Sequence, residues 1–223
     1  MPFAPPVTRA VFPSNRTAPT YTVRVMEFRD ILARRRMHRA FEPTPISREV
    51  VERIVGVIRR APSGGFTQGS SIVVVTDEDK RRQIAAAFAD HPPTQQFVLQ
   101  APVHLVISGN EALYHARYNE PDKLAATGGV EVTWPVPYWF VDAGALMMLV
   151  LAAAIDEGLA SAFIGHPDQK RIFGELLGLP DEVVPIGLAL VGHPAPDPTA
   201  EQGTSRMRSR RRPRGDLVHW ERW

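Results

Sequence analysis

Four arginines and a histidine fall within six residues at Arg34-Arg35-Arg36-Met37-His38-Arg39, and residues of these types in that density suit one task, holding anions. A guanidinium presents a planar fork that matches phosphate or carboxylate oxygens two bonds at a time, and it stays charged at any physiological pH. Charge-assisted hydrogen bonds of this kind contribute roughly 1.5–3 kcal/mol each, so two or three can hold a dianion. Farther along, Ala61-Pro62-Ser63-Gly64-Gly65-Phe66-Thr67-Gln68-Gly69 puts small residues where backbone can approach a flat ligand. Ser63, Thr67 and Gln68 add side-chain hydrogen bonds. One helix separates the two stretches, so together they could frame a single anionic ligand. A dense arginine run is also what a solvated face looks like, and Pro-Ser-Gly-Gly is also what a turn looks like. Residue types alone leave both readings open.

Other chemistries find no residues to carry them. The chain has no cysteine, and its seven histidines are scattered without metal-ligand spacing, so no metal is expected. No glycine-rich dinucleotide fingerprint, P-loop or G-x-S-x-G elbow is present. If the chain is an enzyme, a bound cofactor is expected to carry the chemistry. Arg206, Arg208, Arg210, Arg211, Arg212 and Arg214 concentrate basic charge near the end, but the net charge is only +2. Aromatic residues do not interleave that run, and Leu217, Val218, Trp220 and Trp223 follow it. Packing against a second copy is therefore expected there rather than nucleic-acid binding.

The elements that would position these residues follow from periodicity. Phe28, Ile31 and Leu32 give an apolar stripe to a helix over 26–35. Ser47 caps a second helix to about Arg60, and Pro62 stops it. Ile72-Val73-Val74-Val75 reads as a covered strand over 71–76, followed by an Asp77-capped helix to about Ala89 and a short helix over 95–100. A second strand is predicted over 101–108 and a helix over 111–118. Residues 119–137 then form a long irregular connection, the kind of segment that often serves as a lid; with Trp134 inside it and Tyr138 just past its end, it is a candidate substrate cover or a surface loop with aromatic anchors. Ala143–Ile155 is unbroken by charge for 13 residues, too short for a bilayer, so a helix over 139–157 buried on several sides is expected. A strand over 159–164, a helix over 167–177 with Pro167 at its first position and Gly178 after its end, and a strand over 183–191 complete the reading. Strand–helix alternation favours a layered arrangement. At 223 residues, 44% hydrophobic and 22% charged, one domain with a real core is expected. Residues 1–25 hold Pro2, Pro5, Pro6, Pro13 and Pro19 and no apolar run of a secretory signal, so a flexible arm, a partner-wrapping segment or an over-long start is expected before a domain over 26–223, in a cytoplasmic protein without membrane attachment.

The order of the pieces resembles the FMN-dependent nitroreductase family. The resemblance rests on Arg35-Arg36-x-x-Arg39-x-Phe41, then Pro43, an amphipathic helix, Ala61-Pro62-Ser63-Gly64-x-x-x-Gln68 and a β-rich run. It continues through the apolar helix after Trp139, Leu176-Leu177-Gly178-Leu179-Pro180 and the basic segment before Leu217-Val218-His219-Trp220. The resemblance implies an α+β, three-layer sandwich with a central mixed β-sheet flanked by helices, in an intertwined homodimer. It implies FMN as cofactor, with Arg35 and Arg36 on its phosphate and ribityl chain and Arg39 beside the pyrimidine edge. Pro62, Ser63 and Gly64 would lie along the flavin from the partner subunit with Gln68 close to it, Ile164 and Gly165 would approach N5, and Arg211, with Arg210 and Arg212 as register alternatives, would reach the phosphate. Phe66, Trp134 and Tyr138 are candidate substrate-pocket residues. Met37 stands where the family commonly has a serine, and Gln68-Gly69-Ser70 where it has Gln-Pro-Trp. The activity implied is hydride transfer from NAD(P)H through flavin N5 to a nitroaromatic, quinone or other flat acceptor in a ping-pong cycle. A flavin- or deazaflavin-storage protein without turnover is the alternative, and a basic interaction protein using residues 206–214 the other.

Overall fold

The computed structural model of the chain describes residues 26–196, 207 and 209–223; the proline-containing arm over 1–25, Arg206 and Arg208 lie outside the described residues. Helix α1 (Phe28–Arg34) leads through an extended stretch to a two-residue strand β1 (Phe41–Glu42). Ser47 caps α2 (Arg48–Val55) by accepting from Val50 N, and the helix tightens into a 3₁₀ turn over Gly56–Arg60. Strand β2 (Ser70–Val75) is followed by α3 (Glu78–Ala86), capped by Asp77, and α4 (Pro92–Gln100). Strand β3 (Val103–Asn110) feeds α5 (Glu111–Tyr118), then α6 (Pro121–Ala126) and the long α7 (Tyr138–Asp156). Strand β4 (Ala160–Ile164), α8 (Gln169–Leu177) and β5 (Val183–Pro194) complete the body. Gly178 ends α8 at φ 68°, a left-handed position where a Cβ would be strained.

The strands form one sheet in the order β2–β3–β5, with β4 and β1 sharing the other edge of β5. Every pairing among the described strands is antiparallel, which corrects the mixed sheet expected from the resemblance while keeping the α+β sandwich. The reason is visible between β2 and β3. A single crossover helix would return the chain to the start of β2 and give a parallel partner. Here two helices, α3 and α4, intervene, so β3 starts where β2 stops, with Val75 opposite His104.

Alternation along the strands supplies the three layers. Val103, Leu105 and Ile107 of β3 and Ala189 and Val191 of β5 face α2 and α7, packing with Ile54, Leu146, Val150 and Leu151. Val106, Leu188 and Leu190, with Ala160 and Ala162 of β4, face α3, α4 and α8, packing with Ile84, Phe97, Val98 and Phe173. By length and composition α7 could cross a membrane, yet half of it is spent on the sheet: Ala143, Leu146, Val150 and Ala154 are buried. Its opposite face is apolar and open, with Val141 and Met148 exposed.

His104 is buried in the α4 layer, its Nε2–H donating to Val98 O at 2.8 Å while Nδ1 has no partner. Burial drives its pKa from 6.5 down to about 4. The unfolded chain therefore takes up a proton that the folded chain refuses. Stability is intact above about pH 6.5 and is lost as pH falls toward 4, by about 3 kcal/mol at 1.36 kcal/mol per unit. Thermal melts followed by circular dichroism should show this drop in wild type and a smaller one in His104→Leu; an equal drop in both would assign the acid sensitivity elsewhere.

Candidate functional site

The arginine stretch runs extended along the edge of β4 that β5 does not use. Helix α1 stops when Arg35 turns to φ −61°, ψ 115°, and from there His38 N–H donates to Ser161 O (3.1 Å) and Phe163 N–H to Met37 Sδ (3.3 Å). Met37 is half-buried and packs into both core layers, so its side chain serves the fold. Arg34, Arg35, Arg36 and Arg39 point to solvent. Arg36 Nε donates to His38 Nε2 (2.9 Å), whereas Arg35 and Arg39 have no partner among the described residues. Charges held on a fixed backbone without counterions are ready to take an anion. Ile164 and Gly165 follow at the end of β4, Gly165 exposed.

The second stretch is a pinned turn. After Pro62 the chain makes a 3₁₀ turn over Gly64–Phe66; Gly65 (φ 61°) and Phe66 (φ 57°) within it and Gln68 (φ 56°) beyond it are left-handed. Gly64 N–H donates to Asp142 Oδ2 (2.8 Å), and Gly65 O accepts from Arg117 Nε (3.0 Å). Ser63 Oγ accepts from Gln68 N–H (2.9 Å) and Thr67 Oγ1 donates to Gly64 O (2.6 Å). Two of the three side chains expected to reach a ligand are thus used inside the turn, and only the exposed Gln68 amide is without a partner among the described residues. The turn sits hard against α5: a Cβ on Gly69 would come within 2.5 Å of the Tyr114 ring, so only glycine fits there.

Asp142 is the hub of this corner, and neither residue type nor spacing marks it as one. It is 7% exposed and accepts both Gly64 N–H and the Tyr114 O–H, the latter at 2.5 Å. Burial first, then that carboxylate, pushes the Tyr114 phenol up, so it remains a donor. The available signal was a lone carboxylate opening the most apolar segment of the chain.

The expected cover also takes shape here. Residues 119–137 are not wholly irregular, because α6 lies within them. Arg117 ties α6 down, with Nη1 and Nη2 on the Asp122 carboxylate (2.7 and 2.8 Å) and Nη1 on Glu120 (2.9 Å); this pairing holds the Asp122 carboxyl at about 2. Glu131 fastens the remainder: it accepts from Trp134 Nε1 (3.0 Å), from Asn119 Nδ2 (2.7 Å) and from His115 Nδ1 (2.5 Å). Those bonds hold Glu131 at about 2, and the Glu131 bond raises His115. Trp134 then packs edge-on against Tyr118 (4.6 Å) and lies 6.0 Å from Tyr138. Phe66 is 78% exposed.

The two motifs do not meet within one chain. The turn over 62–69 enters β2 at one edge of the sheet, and the arginine stretch flanks β4 at the other. Four strand spacings of about 4.8 Å separate those positions, about 19 Å in all, so a single ligand touching both is better served by two copies. Arg211 and Arg212 are exposed, and Arg212 Nη2 donates to Asp216 O (2.8 Å). Leu217, Trp220 and Trp223 beyond them are exposed too. An open cavity of about 360 Å³ between α3 and α8, lined by Gln83, Asp90, His166 and Arg171 among others, belongs to the far helical layer.

Comparison with known proteins places this arrangement. The model of the nitroreductase family matches residues 32–193. The FMN reductase [NAD(P)H] of Bacillus subtilis is 29% identical over 161 residues, covering 70% of this chain; the chain spans 61% of that relative's length. Among solved structures, nitroreductase A of Vibrio parahaemolyticus aligns at 26% identity and TM-score 0.65, over 87% of this chain and 75% of that one. The NADPH:FMN oxidoreductase of Vibrio harveyi complexed with NAD+ aligns at 25% identity and TM-score 0.64, over 87% and 76%.

Proposed function

The chain belongs to the nitroreductase family, and from that premise we propose that it is an NAD(P)H-dependent FMN oxidoreductase, working as a homodimer on flat acceptors such as nitroaromatics or quinones. The observation that carries this reading is the exposed arginine stretch along β4, with Arg35 and Arg39 without partners among the described residues. The donor set fits the cofactor: a phosphate dianion asks for charged forks, and a ring system asks for close backbone, which the pinned turn over 62–68 offers.

FMN, when bound, would supply the redox chemistry that links NAD(P)H to the acceptor. The residues of this chain bind and position. Arg35 and Arg36 hold the phosphate end, with Arg211 or Arg212 as further cations. Arg39 would supply fixed positive charge to the ring end of the cofactor and so would favour its reduced, more negative form. Ser63, Gly64 and Gln68 of the second copy form the strip along the ring, held rigid by Asp142. Trp134 and Tyr138 cover the acceptor and exclude water. The open face of α7, with Val141 and Met148, and the exposed Phe28 and Leu32 of α1 are apolar surface that a second copy would bury.

The absorption spectrum of the purified protein, before and after NADPH, tests the reading. Flavin bands that bleach on NADPH addition and return with an acceptor are expected. A colourless protein that takes up no FMN would remove the proposal, and bound flavin that NADPH does not bleach would mark a storage protein.

A further inference from the structure

Phe66 is held in a conformation that phenylalanine avoids. At φ 57° it lies in the left-handed region, where Cβ crowds the following carbonyl oxygen. A bulky residue there is an outlier, and such strain persists only where the surroundings over-determine it, typically at ligand clamps and active sites. The surroundings do so here from three directions: Asp142 takes Gly64 N–H, Arg117 reaches Gly65 O, and Ser63 Oγ takes Gln68 N–H. The result is not a buried ring. Phe66 is 78% exposed and has no ring partner among the described residues. The turn displays the phenyl group away from the described residues of this chain.

We propose that Phe66 determines acceptor specificity: displayed by the turn of one copy, its ring forms a wall of the acceptor pocket over the flavin that the arginine stretch of the second copy holds. The proposal rests on the reading of the chain as a flavin oxidoreductase. The position supports it, because a Cβ on the neighbouring Gly65 would lie only 2.8 Å from the Tyr118 ring, and Tyr118 carries Trp134 at 4.6 Å. Turn and aromatic cover therefore share one corner and offer two apolar walls. An aromatic ring gives large contact area at low entropy cost and prefers offset or edge contacts with other rings. A fused two-ring quinone gains more from such a wall than a single-ring one.

Phe66→Asn tests this in the FMN-loaded enzyme, since asparagine tolerates the left-handed conformation. Apo melting temperature, FMN dissociation constant, rate of flavin reduction by NADPH, and KM for 1,4-naphthoquinone and 1,4-benzoquinone are measured. The variant should melt about 2 °C above wild type, as strain is relieved, and should still bind FMN and be reduced by NADPH. Its KM for naphthoquinone should rise about tenfold, with a smaller rise for benzoquinone, and Phe66→Tyr should restore the wild-type KM. An unchanged naphthoquinone KM in Phe66→Asn overturns the proposal. So does a lower melting point with loss of FMN, which would make Phe66 a structural residue. A wild-type protein that binds no FMN at all fails the underlying reading instead, so the two failures are told apart.

Discussion

Arg35→Ala/Arg36→Ala is expected to purify colourless while folding as wild type does. Both side chains point to solvent, and the one bond either makes within the described chain is Arg36 Nε to His38 at the surface. Losing them should change stability by about 0.5 kcal/mol or less, the usual range for exposed positions. Binding is another matter. Each guanidinium contact to a phosphate contributes roughly 1.5–3 kcal/mol, so removing two should weaken FMN about a hundredfold to ten-thousandfold. Fluorescence titration of apo protein with FMN measures this directly. Arg59→Ala/Arg60→Ala removes the same charge from another exposed site and should leave the affinity as it was. Equal losses in both variants would mean that the protein's general positive field, rather than the stretch beside β4, attracts the ligand.

The second large effect is expected at Asp142, and there the loss falls on the fold first. Asp142→Ala leaves the Tyr114 hydroxyl and Gly64 N–H, both now bonded to Oδ2, without an acceptor in a buried corner. An unmet buried donor costs about 1–3 kcal/mol, so about 3 kcal/mol for the pair. For a chain of this size that lowers the melting temperature by about 6–12 °C. The turn over 63–68 loses its anchor to α7 at the same time, and FMN affinity should fall about tenfold as the strip becomes mobile. Asp142→Asn keeps an acceptor oxygen in place and should recover most of the stability. Wild-type melting in Asp142→Ala would show that the carboxylate holds nothing together.

How much of this could be read from the chain depended on how local the cause was. Helix α5 and the apolar α7 emerged within a residue of their expected limits, because apolar periodicity is a local signal. Strand β4 and the Gly178 stop did too. Helix α8 begins at Gln169, not at Pro167, because His166 Nδ1 accepts from Asp168 N–H and Gln169 Oε1 accepts from His166 N–H, closing a turn first. Helix α6 lies where the sequence predicts an irregular connection, because six residues carry too little periodicity; its support comes from Arg117 on the preceding helix. Helix α4 starts three residues earlier than expected, at Pro92, with the His91 ring accepting from Thr94 N–H. In the site, the arginines were legible from residue type alone. Asp142 was not, because its partners lie 28 and 78 positions away. Nor could spacing reveal that two motifs separated by one helix would emerge on opposite edges of the sheet.

That separation leads to the most direct measurement of the central claim, that each flavin is held by the arginines of one copy and the turn of the other. Arg35→Ala/Arg36→Ala chains and Asp142→Ala chains, carrying different affinity tags, are co-expressed and the mixed dimer is titrated with FMN. In a shared site one of the two positions combines intact arginines with an intact turn. The mixed dimer should therefore regain one site of wild-type affinity, although neither parent dimer has any. A mixed dimer with no site of wild-type affinity would place arginines and turn around the flavin within a single chain, and would contradict a site built from two copies.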